Sequence, residues 1–129
     1  MEFHSWITIV ETYEVQPIGE EEAGLPKILE LIEQKIQNLK WNSPKLKVKN
    51  ASHFIEYTIF ANRHTEEIDE MFEFFSSIAN IATGSYGLIY MFDTGNEFQV
   101  YSISRGKPKK EKDFFLSPVI PTLEDENIL

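Results

Sequence analysis

The residues able to do chemistry in this 129-residue chain are few and scattered. Its histidines are His4, His53 and His64, and no two stand at the HxH or HxxxH spacing that brings two imidazoles to one metal. There is no cysteine, so thiolate chemistry, disulfides and a Cys/His metal set are all excluded. Ser85 sits between glycines in Gly84-Ser85-Tyr86-Gly87, but the spacing is not that of a G-x-S-x-G nucleophile elbow. The segment also falls between an expected helix and an expected strand, the reverse of what the elbow needs. It reads as a helix end with Gly84 in a left-handed cap, a turn at Ser85, and a close approach or bulge at Gly87. Arg105-Gly106-Lys107 is not part of a phosphate loop, because no G-x-x-x-x-G-K-[ST] pattern exists. Arg105, Lys107, Lys109, Lys110 and Lys112 read as a small anion-binding loop or as a solvated turn.

The carboxylates are more orderly. Glu66, Glu70 and Glu73 fall at i, i+4 and i+7 with Asp69 beside them, so a helix would carry all four on one side. Acid/base work by paired carboxylates requires a cleft that drives their pKa values apart, and an exposed ladder supplies none. The ladder reads either as a solvated face or as an acidic docking surface, joined by Glu20, Glu21 and Glu22 and by Asp93 and Glu97 at a hairpin end. Trp6 and Trp41 are types enriched at binding hot spots. Their positions, in a strand and just past a helix, instead favour the core.

These residues must be positioned by a regular succession of elements. Phe3 to Tyr13 is β-branched and aromatic with apolar groups on both faces, as in a central strand. Leu25, Ile28, Leu29, Ile32, Ile36 and Leu39 recur at helical spacing, with Pro26 in the first turn and Asn42-Ser43-Pro44 as the stop. Lys45 to Lys49 alternates basic and apolar, as in a half-buried strand whose lysines guard a sheet edge. Phe54 to Ala61 returns as its hairpin partner. Thr65 is the expected N-cap of a second helix, whose apolar stripe is Ile68, Met71, Phe72, Phe75, Ile78, Ala79 and Ala82. Leu88 to Asp93 and Glu97 to Ser104 form a hairpin around Thr94-Gly95-Asn96. Phe114 and Phe115 are expected to pack, with residues 123–129 as a mobile tail.

The order strand, helix, strand, strand, helix, strand, strand predicts an α+β two-layer sandwich: a mainly antiparallel sheet with two helices on one face. Its first six elements follow the ferredoxin-like order, and one strand is extra. No repeat or linker divides the chain, so residues 1–129 are expected to form one domain, a monomer. With 42% hydrophobic and 13% aromatic residues the chain is too apolar to be disordered. The net charge of −9 disfavours nucleic acid and suits either solubility alone or a basic partner. No stretch reads as a signal peptide or membrane span, so the expected location is the cytoplasm.

His4-Ser5-Trp6, Gly84-Ser85-Tyr86-Gly87-Leu88-Ile89-Tyr90, Asn96-Glu97-Phe98-Gln99-Val100-Tyr101, Arg105-Gly106 and Phe115-Leu116-Ser117-Pro118-Val119-Ile120-Pro121-Thr122 together make the chain resemble the immunity protein 7 family of bacterial polymorphic toxin systems. The pattern often has Gly at the place of Ser5 and Pro at the place of Phe114. The resemblance implies a small α+β protein without cofactor or turnover that binds a cognate toxin domain and neutralises it. Two other classes stand beside it: a small enzyme using a dispersed His/carboxylate site, and a structural module that self-associates at a sheet edge.

Overall fold

The computed structural model describes residues 1–14, 24–61, 65–92 and 97–117. The elements in chain order are β1 (Glu2–Ile9), α1 (Leu25–Gln37), β2 (Lys47–Lys49), β3 (Ser52–Phe60), α2 (Glu66–Ile81), β4 (Tyr86–Phe92), β5 (Phe98–Ser104) and β6 (Lys107–Glu111). The strands form one antiparallel sheet in the order β2-β3-β1-β4-β5-β6. Its first four strands keep the ferredoxin-like arrangement, and β5 and β6 extend it beyond β4.

The alternation along β1 assigns the two faces of the sheet. Phe3, Ile7 and Ile9 are buried, while Trp6 is exposed. Register then places Ile55 and Gly87 beside Ile7, and Ile59 and Met91 beside Phe3. These residues meet the apolar stripe of α2, with Phe3 and Phe75 rings 6.3 Å apart. Ile68, Met71, Phe75 and Ile78 of α2 are at most 1% exposed, whereas α1 fully buries only Ile32. Burial of each such side chain is worth about 1.5–3 kcal/mol, so α2 is the helix on which the layer depends. Both helices contribute to this one core, and the opposite face of the sheet carries no helix among the described residues.

Both edges of the sheet are made by tight hairpins. Asn50 and Ala51 (φ 50° and 64°) join β2 to β3, and Arg105 and Gly106 (φ 50° and 91°) join β5 to β6. Positive φ at both central residues is the geometry whose twist matches that of the flanking strands.

Several sequence expectations are corrected. The basic segment 105–112 is a turn and an edge strand rather than a loop. Pairing with β5 overrides its low apolar content, and Pro108 is tolerated at an edge. β2 starts at Lys47 and buries neither face, because it has only β3 beside it. Gly84 is not in the left-handed region; among the described glycines only Gly106 is. Its lack of a side chain serves space instead, since a Cβ there would strike the Thr12 backbone and meet Val10 Cγ1 at 2.7 Å. Gly87 does permit a close approach: a Cβ would strike the Trp6 carbonyl and lie 2.9 Å from Ile7 Cα. Thr65 occupies the N-cap position, but its hydroxyl caps nothing. Trp6, Trp41, Phe114 and Phe115 are 39, 47, 68 and 78% exposed, so none is core. The expected turn at 94–96 and tail at 123–129 lie outside the described residues.

Candidate functional site

The α2 carboxylates are spread by helical geometry rather than stacked. At about 100° per residue, the order around the helix is Asp69, Glu73, Glu66, Glu70, in steps of roughly 40°, 20° and 40°. Glu66, Asp69 and Glu73 are exposed. Acidic residues in the first turn are also stabilised by the helix dipole.

On the Asp69 flank, α2 and the sheet enclose a cleft of about 320 Å³ lined by Ile68, Asp69, Phe72, Glu73, Met91 and Tyr101. Its aromatic wall is the edge-to-face pair Phe72–Tyr101, with centroids 4.9 Å apart. Met91 pairs with Gln99 near the end of the β4–β5 hairpin, and Glu97 is exposed just before β5. Asp93 lies outside the described residues.

On the other flank, Glu70 has a different occupation. Its carboxylate accepts the backbone N–H of Lys40 (2.8 Å) and of Trp41 (3.1 Å), and the Asn42 side-chain amide (3.1 Å). Asn42, itself buried, also donates to the Glu67 carbonyl at 2.9 Å. Burial pushes the Glu70 pKa up, but the N–H groups of Lys40, Trp41 and Asn42 outweigh it and hold the pKa below the ordinary value. Sequence spacing alone grouped Glu70 with its neighbours, because the connection that wraps it lies 30 residues away in the chain.

The helix-free face of the sheet has its own concavity, of about 390 Å³, lined by His4, Ser5, Trp6, Leu88, Tyr90, Phe98 and Leu116. Sequence reasoning missed it. Its only available signal was the alternation that put His4 and Trp6 opposite Phe3 and Ile7. Leu116 is fixed there by a polar turn. The buried Asp113 carboxylate accepts the Phe115, Leu116 and Ser117 N–H groups and the Ser117 hydroxyl, whose oxygen in turn accepts the Phe98 N–H at 2.7 Å. Burial raises the Asp113 pKa, but the Ser117 hydroxyl and these N–H groups bring it down to about 2. Burial, and then the Asp113 charge, push the Tyr90 phenol up.

His4 is within 3.0 Å of Glu2 Oε1, which gives a half-exposed histidine–carboxylate pair at the rim. The remaining walls are largely apolar and offer no second acid/base group of that kind. His53 is half-buried at the start of β3, and His64 lies outside the described residues. Ser85 is buried and structural: its hydroxyl oxygen accepts the Val10 N–H at 3.0 Å, tying α2's exit to the end of β1. Among the described residues no cluster of three or more His, Asp or Glu could hold a metal ion, and no helix is long and apolar enough to cross a membrane.

A family model described as Immunity protein 7 matches residues 1–125. No curated protein and no solved structure matches the chain.

Proposed function

Because the chain belongs to the Immunity protein 7 family, whose members act against toxins, we propose that it binds a cognate toxin domain acting in the cytosol and neutralises it by covering the active site. In this reading the protein is a monomeric binder, not an enzyme, and needs no cofactor. Its partner presents a basic surface.

The observation that carries the reading is the acidic-rimmed cleft beside α2. Asp69 and Glu73 offer charge, and Phe72 and Tyr101 offer ring surface, in one concavity. A lysine or arginine of the partner is held by the first pair and can stack on the second. Glu66 extends the negative rim, Glu97 extends it just before β5, and Glu70 supports it from the far flank. A toxin whose substrate is anionic has a cationic active site, and these carboxylates would stand in for that substrate. The charge of −9 would also speed encounter with such a partner.

The test is co-expression with the toxin domain encoded by the adjacent gene. Cells producing both should grow, and purified toxin should lose activity in stoichiometric complex. Death of the cells at full expression of this chain overturns the reading.

A further inference from the structure

The half-buried Glu70 carboxylate is ringed by N–H groups, yet the connection it holds carries a tryptophan that faces solvent. Lys40, Trp41 and Asn42 follow one another between α1 and β2, and all three are bonded to this one side chain. Asn42 adds a second bond to the α2 backbone. Lys40 Nζ sits 4.8 Å from the centre of the Trp41 ring, a cation–π contact that steadies the indole from one side. The outcome is a large, half-exposed aromatic on a clamped backbone.

Position gives this arrangement its meaning. Glu70 and Asp69 lie on opposite flanks of α2, with Glu73 and Glu66 on the ridge between them. Trp41 is therefore on one side of the acidic ridge, and the Asp69–Phe72–Tyr101 cleft is on the other. A partner that straddles the ridge meets a charged strip bordered by ring surface on both flanks. A pre-ordered tryptophan loses little conformational freedom on docking, and fixed aromatics of this kind dominate binding energy where they enter a pocket.

We propose that Trp41 is the aromatic anchor of the docking surface, inserting into an apolar socket beside the basic patch of the toxin, and that Glu70 is its positioning residue. The proposal rests on the immunity reading above. It divides the four α2 carboxylates by role: Glu66, Asp69 and Glu73 face the partner's charge, and Glu70 sets the loop.

The experiment measures binding of the adjacent-gene toxin domain to wild type, Trp41→Ala, Trp41→Phe, Glu70→Gln and Trp6→Ala, with thermal unfolding of each free protein. Trp41→Ala should weaken binding ~30- to 100-fold, mainly through faster dissociation, with the unfolding temperature nearly unchanged. Trp41→Phe should recover most of that loss. Glu70→Gln should also speed dissociation, although its charge faces the loop, and its deficit should vary little with salt. In the Trp6→Phe background, 5-fluorotryptophan reports Trp41 alone, and its fluorine resonance should shift on adding unlabelled toxin. Wild-type binding with an unaffected Trp41→Ala, or a loss confined to Trp6→Ala, overturns the anchor and leaves the immunity reading standing. Failure of the wild type itself to bind or protect overturns both.

Discussion

Reversing charge at the cleft, in the double variant Asp69→Lys/Glu73→Lys, separates docking by this surface from a general effect of net charge. Both side chains are exposed, so the dielectric they act through is close to that of water. A partner cation about 4 Å away then gains about 1 kcal/mol from each carboxylate, and reversal turns each attraction into a repulsion of similar size. The swing is about 2 kcal/mol per site and about 4 for the pair at low ionic strength. At roughly 0.15 M salt the screening length is about 8 Å, and exposed pairs retain only about 0.2–1 kcal/mol. The expected cost there is about 1–2 kcal/mol, or roughly 5- to 30-fold in affinity. Stopped-flow association with the toxin domain at low and physiological salt reads this directly. Most of the loss should fall on the association rate, and the gap from wild type should narrow as salt rises. The control is Glu30→Lys/Glu33→Lys, two exposed α1 positions that change net charge by the same amount away from the cleft. If this control slows association as much, or if the cleft variant shows a salt-independent deficit, the assignment of the α2 face is wrong.

Three further outcomes test the fold that holds these surfaces. Gly87→Ala should lower stability by about 2–3 kcal/mol, because its Cβ meets β1 backbone at Trp6 and Ile7, which cannot rotate away; urea titration measures it, and a loss under about 0.5 kcal/mol would refute it. Ala51→Gly should act in the opposite direction, stabilising by about 0.5–1 kcal/mol in the same assay, since Ala51 holds φ 64° in a hairpin turn where a Cβ is a handicap. Asp113 has its folded pKa lowered from 3.8 to about 2, so its contribution to stability is complete above about pH 4 and is lost as pH falls through 2. The amide resonances of Phe98 and Ser117 should report a midpoint near 2, and a midpoint near 4 would dissolve the turn as described.

The legible parts of the molecule were those in which local pattern and tertiary environment agree. The spacing of Ile68, Met71, Phe75 and Ile78 announces α2, and the mixed apolar character of Phe3 to Tyr13 announces a central strand, although the strand ends at Ile9; both elements are buried as expected. Failures occurred where a distant partner decided the matter. Lys107–Glu111 has almost no strand-forming character, and becomes β6 only because β5 is there to bond it. Trp6 stands on a strand whose second face has no helix over it among the described residues, so the usual reading of a strand tryptophan does not apply. Glu70 was placed on the correct helix but given its neighbours' role, because no feature of 66–73 reveals that residues 40–42 close over it. Nothing in the local sequence marks Asp113, since its acceptor role depends on the turn that follows it.

The two faces of the sandwich also differ in the partners they can admit. Register puts Lys47 and Lys49 of β2, and Lys107 and Lys109 of β6, on the helix-free face, at opposite edges of the sheet. The carboxylates that register puts on that face are separated: Glu2 is paired with His4, Glu56 stands exposed on β3 beside Trp6, and Glu111 accepts a bond from Ser102. Among the described residues, a basic surface approaching from that side meets lysines at both margins and only the separated carboxylates of Glu2 and Glu56 between them. Approaching α2, it meets Glu66, Asp69 and Glu73 together. The aromatic groove of His4, Trp6, Tyr90 and Phe98 is the larger concavity. Apolar area alone would therefore favour it, whereas the sign of the long-range field favours α2. For a cationic partner, encounter is governed by the field before contact area counts, because area acts only once water has been expelled. The same ordering implies that an apolar or acidic partner would choose the other face. The salt dependence of association thus discriminates between the two surfaces: steep if docking occurs on α2, and shallow or inverted if it occurs on the open sheet.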